Sequence, residues 1–85
     1  AYTTTHPKEA ITVTIDRYQR VYWNGWRVTE KSIPNRVSKI LEGKPEQQVI
    51  LQADQQTPYV RVVGVLDAIR KGGCMNVVLE AKKQT

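Results

Sequence analysis

The chain has 85 residues, 40% of them hydrophobic and 25% charged, which suits one small globular domain and leaves no room for a second. Thirteen Lys and Arg against eight Asp and Glu give a net charge of +5, a mild basic bias that fits an acidic partner, an acidic polymer, anionic lipid or nucleic acid without selecting among them. The single cysteine, Cys74, excludes an intramolecular disulfide, and no apolar run reaches the ~20 residues a membrane-spanning helix needs.

Residues 1–10, AYTTTHPKEA, are polar and aperiodic and read as a flexible linker. The start at Ala1 without a Met fits a fragment whose anchor or targeting segment lies upstream. Ile11 to Asp16 alternates, with Ile11, Val13 and Ile15 on one face, which predicts a half-buried strand. Arg17-Tyr18-Gln19 form a short turn and Arg20 to Trp23 a second strand. Asn24-Gly25 is a two-residue hairpin signal, because both central residues of a type I′ turn need positive φ. Trp26-Arg27-Val28 complete a brief third strand.

Thr29 or Ser32 is positioned to cap a first helix, whose apolar residues Ile33, Val37, Ile40 and Leu41 recur at helical spacing. Pro34 belongs in its first turn and favours a start near Ser32 or a distorted first turn. Gly43 suits a left-handed residue after the helix, and Pro45 blocks continuation. Val49-Ile50-Leu51 is apolar without alternation, as in a strand covered on both faces. Thr57 is expected to cap a second helix, with Pro58 at its first position. Tyr59, Val62, Val63, Leu66 and Ile69 line one face, and Gly72-Gly73 end the helix. Asn76 to Ala81 is the last strand. The strand–helix–strand unit demands a crossover of right hand. The expected fold is α+β in two layers. An N-terminal β-hairpin precedes helix–strand–helix–strand, and both helices pack on one face of a mixed sheet. The domain is placed at 11–82, with a disordered tail at 83–85.

Chemistry-bearing residues are sparse. His6 lies in the linker, and with Cys74 it makes no metal-ligand set. Cys74 reads as a small core hydrophobe, since no structured His stands by to activate a thiol. Gly72-Gly73 follow a helix, whereas a phosphate loop precedes one; no cofactor site is expected. Asp54 ends a strand just before a helix, where α/β sites often lie, yet a lone carboxylate there more simply forms the turn. Tyr18, Tyr22, Trp23 and Trp26 cluster with Arg17, Arg20 and Arg27, a pattern that serves base stacking or plain cross-strand pairing. Lys31, Arg36, Lys39, Arg61, Arg70 and Lys71 are scattered over both helices, which argues against nucleic-acid binding. Gly64 sits mid-helix in a stripe with Val60 and Asp67, which allows close approach of another element. No structured pair forms a general acid and base, so an enzyme is not expected.

The order of parts is more specific than any one of them. An alternating strand leads into Tyr22-Trp23-Asn24-Gly25, then Val28-Thr29 and a helix. Val49 to Asp54, Pro58-Tyr59, Val62-Val63, Leu66-Asp67 and Gly72-Gly73 follow. From Ile11 to about Ala81 this resembles the periplasmic domain of the ExbD/TolR family. Asn24, Gly25, Asp54, Tyr59 and Gly73 carry the turn and fold signature.

The resemblance implies a subunit of a proton-driven motor in the inner membrane of a Gram-negative bacterium. A single transmembrane helix with a proton-binding aspartate would engage an ExbB-like channel protein. The periplasmic domain would work with a TonB-like protein reaching toward the outer membrane. ExbD-type members serve siderophore, haem or cobalamin uptake; TolR-type members serve envelope integrity and contact peptidoglycan. The family commonly forms homodimers. Asp16, Asp54 and Asp67 lie in the soluble domain and do not inherit the transmembrane aspartate's role. The ExbD type is the expectation, with a TolR-like peptidoglycan-contacting subunit as alternative and a ferredoxin-like RNA-binding module after it. Partner binding is expected at the terminal strand, Val77, Val78, Leu79 and Glu80, by edge-strand pairing.

Overall fold

The computed structural model describes residues 10–82. The linker residues before Ala10, His6 among them, and the tail at 83–85 lie outside the described residues. Strands β1 (Ile11–Ile15), β2 (Val21–Trp23) and β3 (Trp26–Val28) come first. A single 3-10 turn, Glu30–Ser32, leads into α1 (Ile33–Gly43). Strand β4 (Val49–Asp54), α2 (Tyr59–Lys71) and β5 (Val77–Lys82) complete the chain. The five strands form one sheet in the order β3-β2-β1-β4-β5. The hairpin strands pair antiparallel, while β1 with β4 and β4 with β5 are parallel. The fold is α+β, with the expected order of strands and helices.

Strand register explains the core. Ile11, Val13 and Ile15 stand opposite Val49, Leu51 and Ala53, and alternation puts all six on one face. Both helices cover that face: Ile33 and Val37 of α1, and Val62, Val65, Ala68 and Ile69 of α2, join the same buried cluster. Ile50 points to the opposite face and is also buried, 1% exposed. This accounts for the unbroken apolar run in the central strand, which is buried at Val49, Ile50 and Leu51 in succession.

The turns follow local chemistry. Asn24 and Gly25 take φ of 50° and 90°, as a type I′ hairpin turn requires. Asn24 also ties the hairpin back to β1: its Oδ1 accepts the Thr12 N–H at 2.9 Å, and its own N–H donates to the Thr12 carbonyl at 2.8 Å. Pro34 sits in the first turn of α1, directly after the 3-10 turn. Gly73 takes φ of 105°, which only glycine adopts without strain. Gly72 has a different reason to be glycine. A Cβ there would lie 2.6 Å from Val37 Cβ and 2.7 Å from the Pro34 carbonyl oxygen. It is the point where the end of α2 touches α1.

Several local expectations need correction. Neither Thr29 nor Ser32 caps a helix through its side chain; the Ser32 hydroxyl donates backwards to the Thr29 carbonyl at 2.8 Å. Gly43 is the last residue of α1 and does not take positive φ; the helix closes through the Lys44 N–H to the Ile40 carbonyl instead. Thr57 does not cap α2. Its hydroxyl donates to the Asp16 carbonyl at 3.0 Å, and Pro58 occupies the cap position before the helix begins. The buried face of α2 is Val62, Val65, Ala68 and Ile69. Tyr59 stands outside it, 77% exposed, and Val63 and Leu66 are only half-buried.

Candidate functional site

The sheet ends on one side at β5. One edge of β5 pairs with β4 from Val49↔Val77 to Asp54↔Lys82; the other has no strand neighbour among the described residues. Val77 is half-buried against the core cluster. Val78 and Leu79, on opposite faces, are 38% and 52% exposed. Glu80 accepts a hydrogen bond from Gln52 Nε2 at 3.1 Å, which holds its carboxylate along the sheet. Met75, just before the strand, is exposed as well. An edge strand with apolar side chains on both faces is a template for main-chain pairing. Of the four residues expected to meet a partner, Val78 and Leu79 offer apolar surface, Val77 anchors the strand, and Glu80 is engaged with Gln52.

The remaining signature residues are dispersed. Asn24 and Gly25 turn the hairpin at the end where β1 begins. Asp54 lies at the opposite end, where β4 finishes. Its Oδ1 accepts the Gln56 N–H at 2.8 Å and its carbonyl accepts the Thr57 N–H at 2.9 Å. These are the bonds of a turn-forming aspartate. Tyr59 and Val60 project from the first turn of α2. Gly73 terminates α2. Spread over both ends of the sheet and both ends of α2, these residues carry the fold rather than one site.

Asp16 is a group that sequence patterning passes over. Its Oδ1 accepts the N–H groups of Tyr18 and Arg20 at 2.9 and 2.8 Å, and its Oδ2 meets Arg20 Nε at 2.6 Å. This knot shapes the β1–β2 turn, where Gln19 is held at φ of 69°. Burial pushes the Asp16 carboxyl up, but the Arg20 N–H, the Arg20 guanidinium and the Tyr18 N–H together outweigh it and hold it below the usual aspartate value. The two arginines flank the exposed Tyr18 ring, with Arg20 5.0 Å and Arg17 5.8 Å from its centroid. The signal in the chain is Asp16 followed at four residues by Arg20 across a turn.

The stripe at Gly64 is where another element approaches. A Cβ at Gly64 would stand 3.3 Å from Glu30 Oε2, and Glu30 Oε1 pairs with Arg61 Nη2 at 2.6 Å. This fastens the 3-10 turn to α2. Cys74 is buried, and its thiol lies 3.5 Å from the Gln47 carbonyl, as a small core residue does.

The chain is similar to known proteins. The family model for the biopolymer transport protein ExbD/TolR matches residues 2–84. The Tol-Pal system protein TolR of Pseudomonas aeruginosa is 32% identical over 83 residues, a match covering 85% of this chain and 57% of that protein. The chain therefore spans little more than half the length of this relative.

Proposed function

The chain belongs to the ExbD/TolR family, and we propose that it is the periplasmic interaction domain of a proton-motive-force-driven motor subunit anchored in the inner membrane. The observation that carries the reading is the outer edge of β5, which has no strand neighbour among the described residues, with Val78 and Leu79 exposed on the two faces of the strand. Main-chain pairing supplies affinity there, and alternate side chains supply selectivity. The role is binding rather than catalysis. In the assembly, proton chemistry and the ExbB-like channel contact belong to the family's membrane-spanning helix. This domain offers its edge to a TonB-like partner or to a second copy of itself. A direct test is an NMR titration with extended periplasmic segments of the partner. Shifts should gather on β5, and Leu79→Lys, which adds charge to the edge, should weaken binding at least tenfold. Shifts elsewhere, or none at millimolar peptide, overturn the edge-strand reading.

Within the family we infer an ExbD-type role in TonB-dependent nutrient uptake as the first reading. The TolR-type reading is favoured by a separate observation, the name of the Pseudomonas relative. It assigns the domain to envelope integrity, with peptidoglycan contacted through basic surface. Retention on purified sacculi at low salt, released by raising salt, supports the TolR type; absence of retention removes it and leaves the ExbD type.

A further inference from the structure

Away from β5, two neighbouring grooves run along α1. One, about 330 Å³, is lined by Trp23, Arg36, Lys39 and Ile40. The other, about 390 Å³, shares Lys39 and Ile40 and extends past Ile11 and Asn24 to Lys44. The two form one trough with an apolar floor and two cations along its helix wall, Arg36 and Lys39; Lys44 closes its far end and is engaged in its own interaction. No Asp or Glu is among the described residues that line it. The contrast with the groove between the 3-10 turn and α2 is informative. That groove holds Glu30 and Asp67 beside Lys31 and Lys71 and so balances its own charge.

The Arg36 guanidinium is held in place: its Nε donates to Ser32 Oγ at 3.2 Å, and its central carbon lies 5.9 Å from the Trp23 ring centroid. A guanidinium over an indole at the outer range of a cation–π contact keeps its charge beside an apolar surface. From these features we propose that the trough is a second docking site, and that its occupant is an extended acidic segment of a partner protein. Charge complementarity selects acidic side chains. The apolar floor of Trp23, Ile11 and Ile40 selects a chain with carbon-rich surface between its charges over a bare phosphate polymer. Arg36 and Lys39 are separated by about 4.5 Å along the helix axis, whereas carboxylates at alternate residues of an extended chain recur about every 6.8 Å on one face; with Arg36 held against Trp23, the flexible stem of Lys39 takes up the difference.

The test titrates the isotope-labelled 85-residue chain with three probes. They are a peptide of about ten residues with Glu at alternate positions, the same peptide with Gln for Glu, and inorganic polyphosphate. The Glu peptide should shift amides between residues 36 and 44 and the Trp23 indole N–H. Arg36→Glu and Lys39→Glu should each weaken it at least tenfold, and Lys31→Glu, in the charge-balanced groove, should not. Equal binding of the Gln peptide overturns the proposal, as does equal weakening by Lys31→Glu. Polyphosphate producing the same shifts at equal affinity reduces the trough to a general polyanion surface and overturns the peptide assignment. Shifts confined to β5 overturn this site while leaving the edge-strand reading intact.

Discussion

At the scale of single residues, two glycines answer to two different causes and a third to neither, and substitution separates them. Gly73 is legible from sequence, because a glycine after a helix is the usual bearer of positive φ. Gly72 is not, because its reason is the approach of α1, a tertiary contact without local trace. Gly43 has the sequence context of a left-handed terminator, yet it ends α1 without positive φ, and nothing lies within 4 Å of where an alanine methyl would stand. Gly43→Ala should therefore stabilise the domain by about 0.4–1 kcal/mol. Gly72→Ala should destabilise it by about 1–3 kcal/mol, since the added carbon meets Val37 and the backbone of Pro34. Urea melts of the two variants should move in opposite directions. Asp16 makes a pH prediction. Its folded-state pKa is lowered from 3.8, so its contribution is fully present above the ordinary value and is lost as pH falls through the lower folded value. The stability gap between wild type and Asp16→Asn should be widest at neutral pH and close in acid. A gap that widens in acid would contradict the hydrogen-bonded carboxylate.

At the scale of elements, pattern reading succeeds where one face is apolar and fails where several are. Strand β1 alternates cleanly, and its buried residues are those its pattern names. Helix α2 carries Val60, Val62, Val63, Val65 and Leu66 almost around its circumference, so periodicity does not distinguish the core face from its neighbour. Packing against the sheet selects Val62, Val65, Ala68 and Ile69. The two proposed docking surfaces divide in the same way. Strand β5 is legible because it is terminal, apolar and β-branched. The trough along α1 is not, because only the fold brings Trp23 of β2 beneath Arg36. Thr57 shows how elements are joined by bonds that local rules miss. Its hydroxyl ties the β4–α2 turn to the end of β1 across 41 residues. Thr57→Val keeps the shape and removes the donor, leaving the Asp16 carbonyl without this bond. The expected cost is about 1–2 kcal/mol, read as a lower urea midpoint, with Thr57→Ser recovering most of it. A loss for Ser with none for Val would assign the effect to packing of the methyl group instead.

At the scale of the whole molecule, sheet order ranks the stability of the parts. Strand β4 is paired on both sides and carries the most continuously buried backbone, while β3 and β5 are edges. A domain of this size is stable by roughly 4–13 kcal/mol, and its elements open over a range up to that value. Amides of β4 and β1 should exchange only through global unfolding, and those of β3 at lower free energy. Strand β5 is the informative case. In an isolated copy its outer amides face solvent and should exchange early. If the edge pairs with a second copy, one of the two occupants proposed for it, protection of β5 should rise with protein concentration while that of β3 stays constant. Leu79→Lys should abolish the rise without changing β4, because the charge lies at the edge and not in the core. Concentration-independent exchange in β5 of the wild type would rule out self-pairing at that edge and leave it open to a partner's strand alone. The same experiment thus separates the two occupants that an apolar, two-faced edge strand accepts.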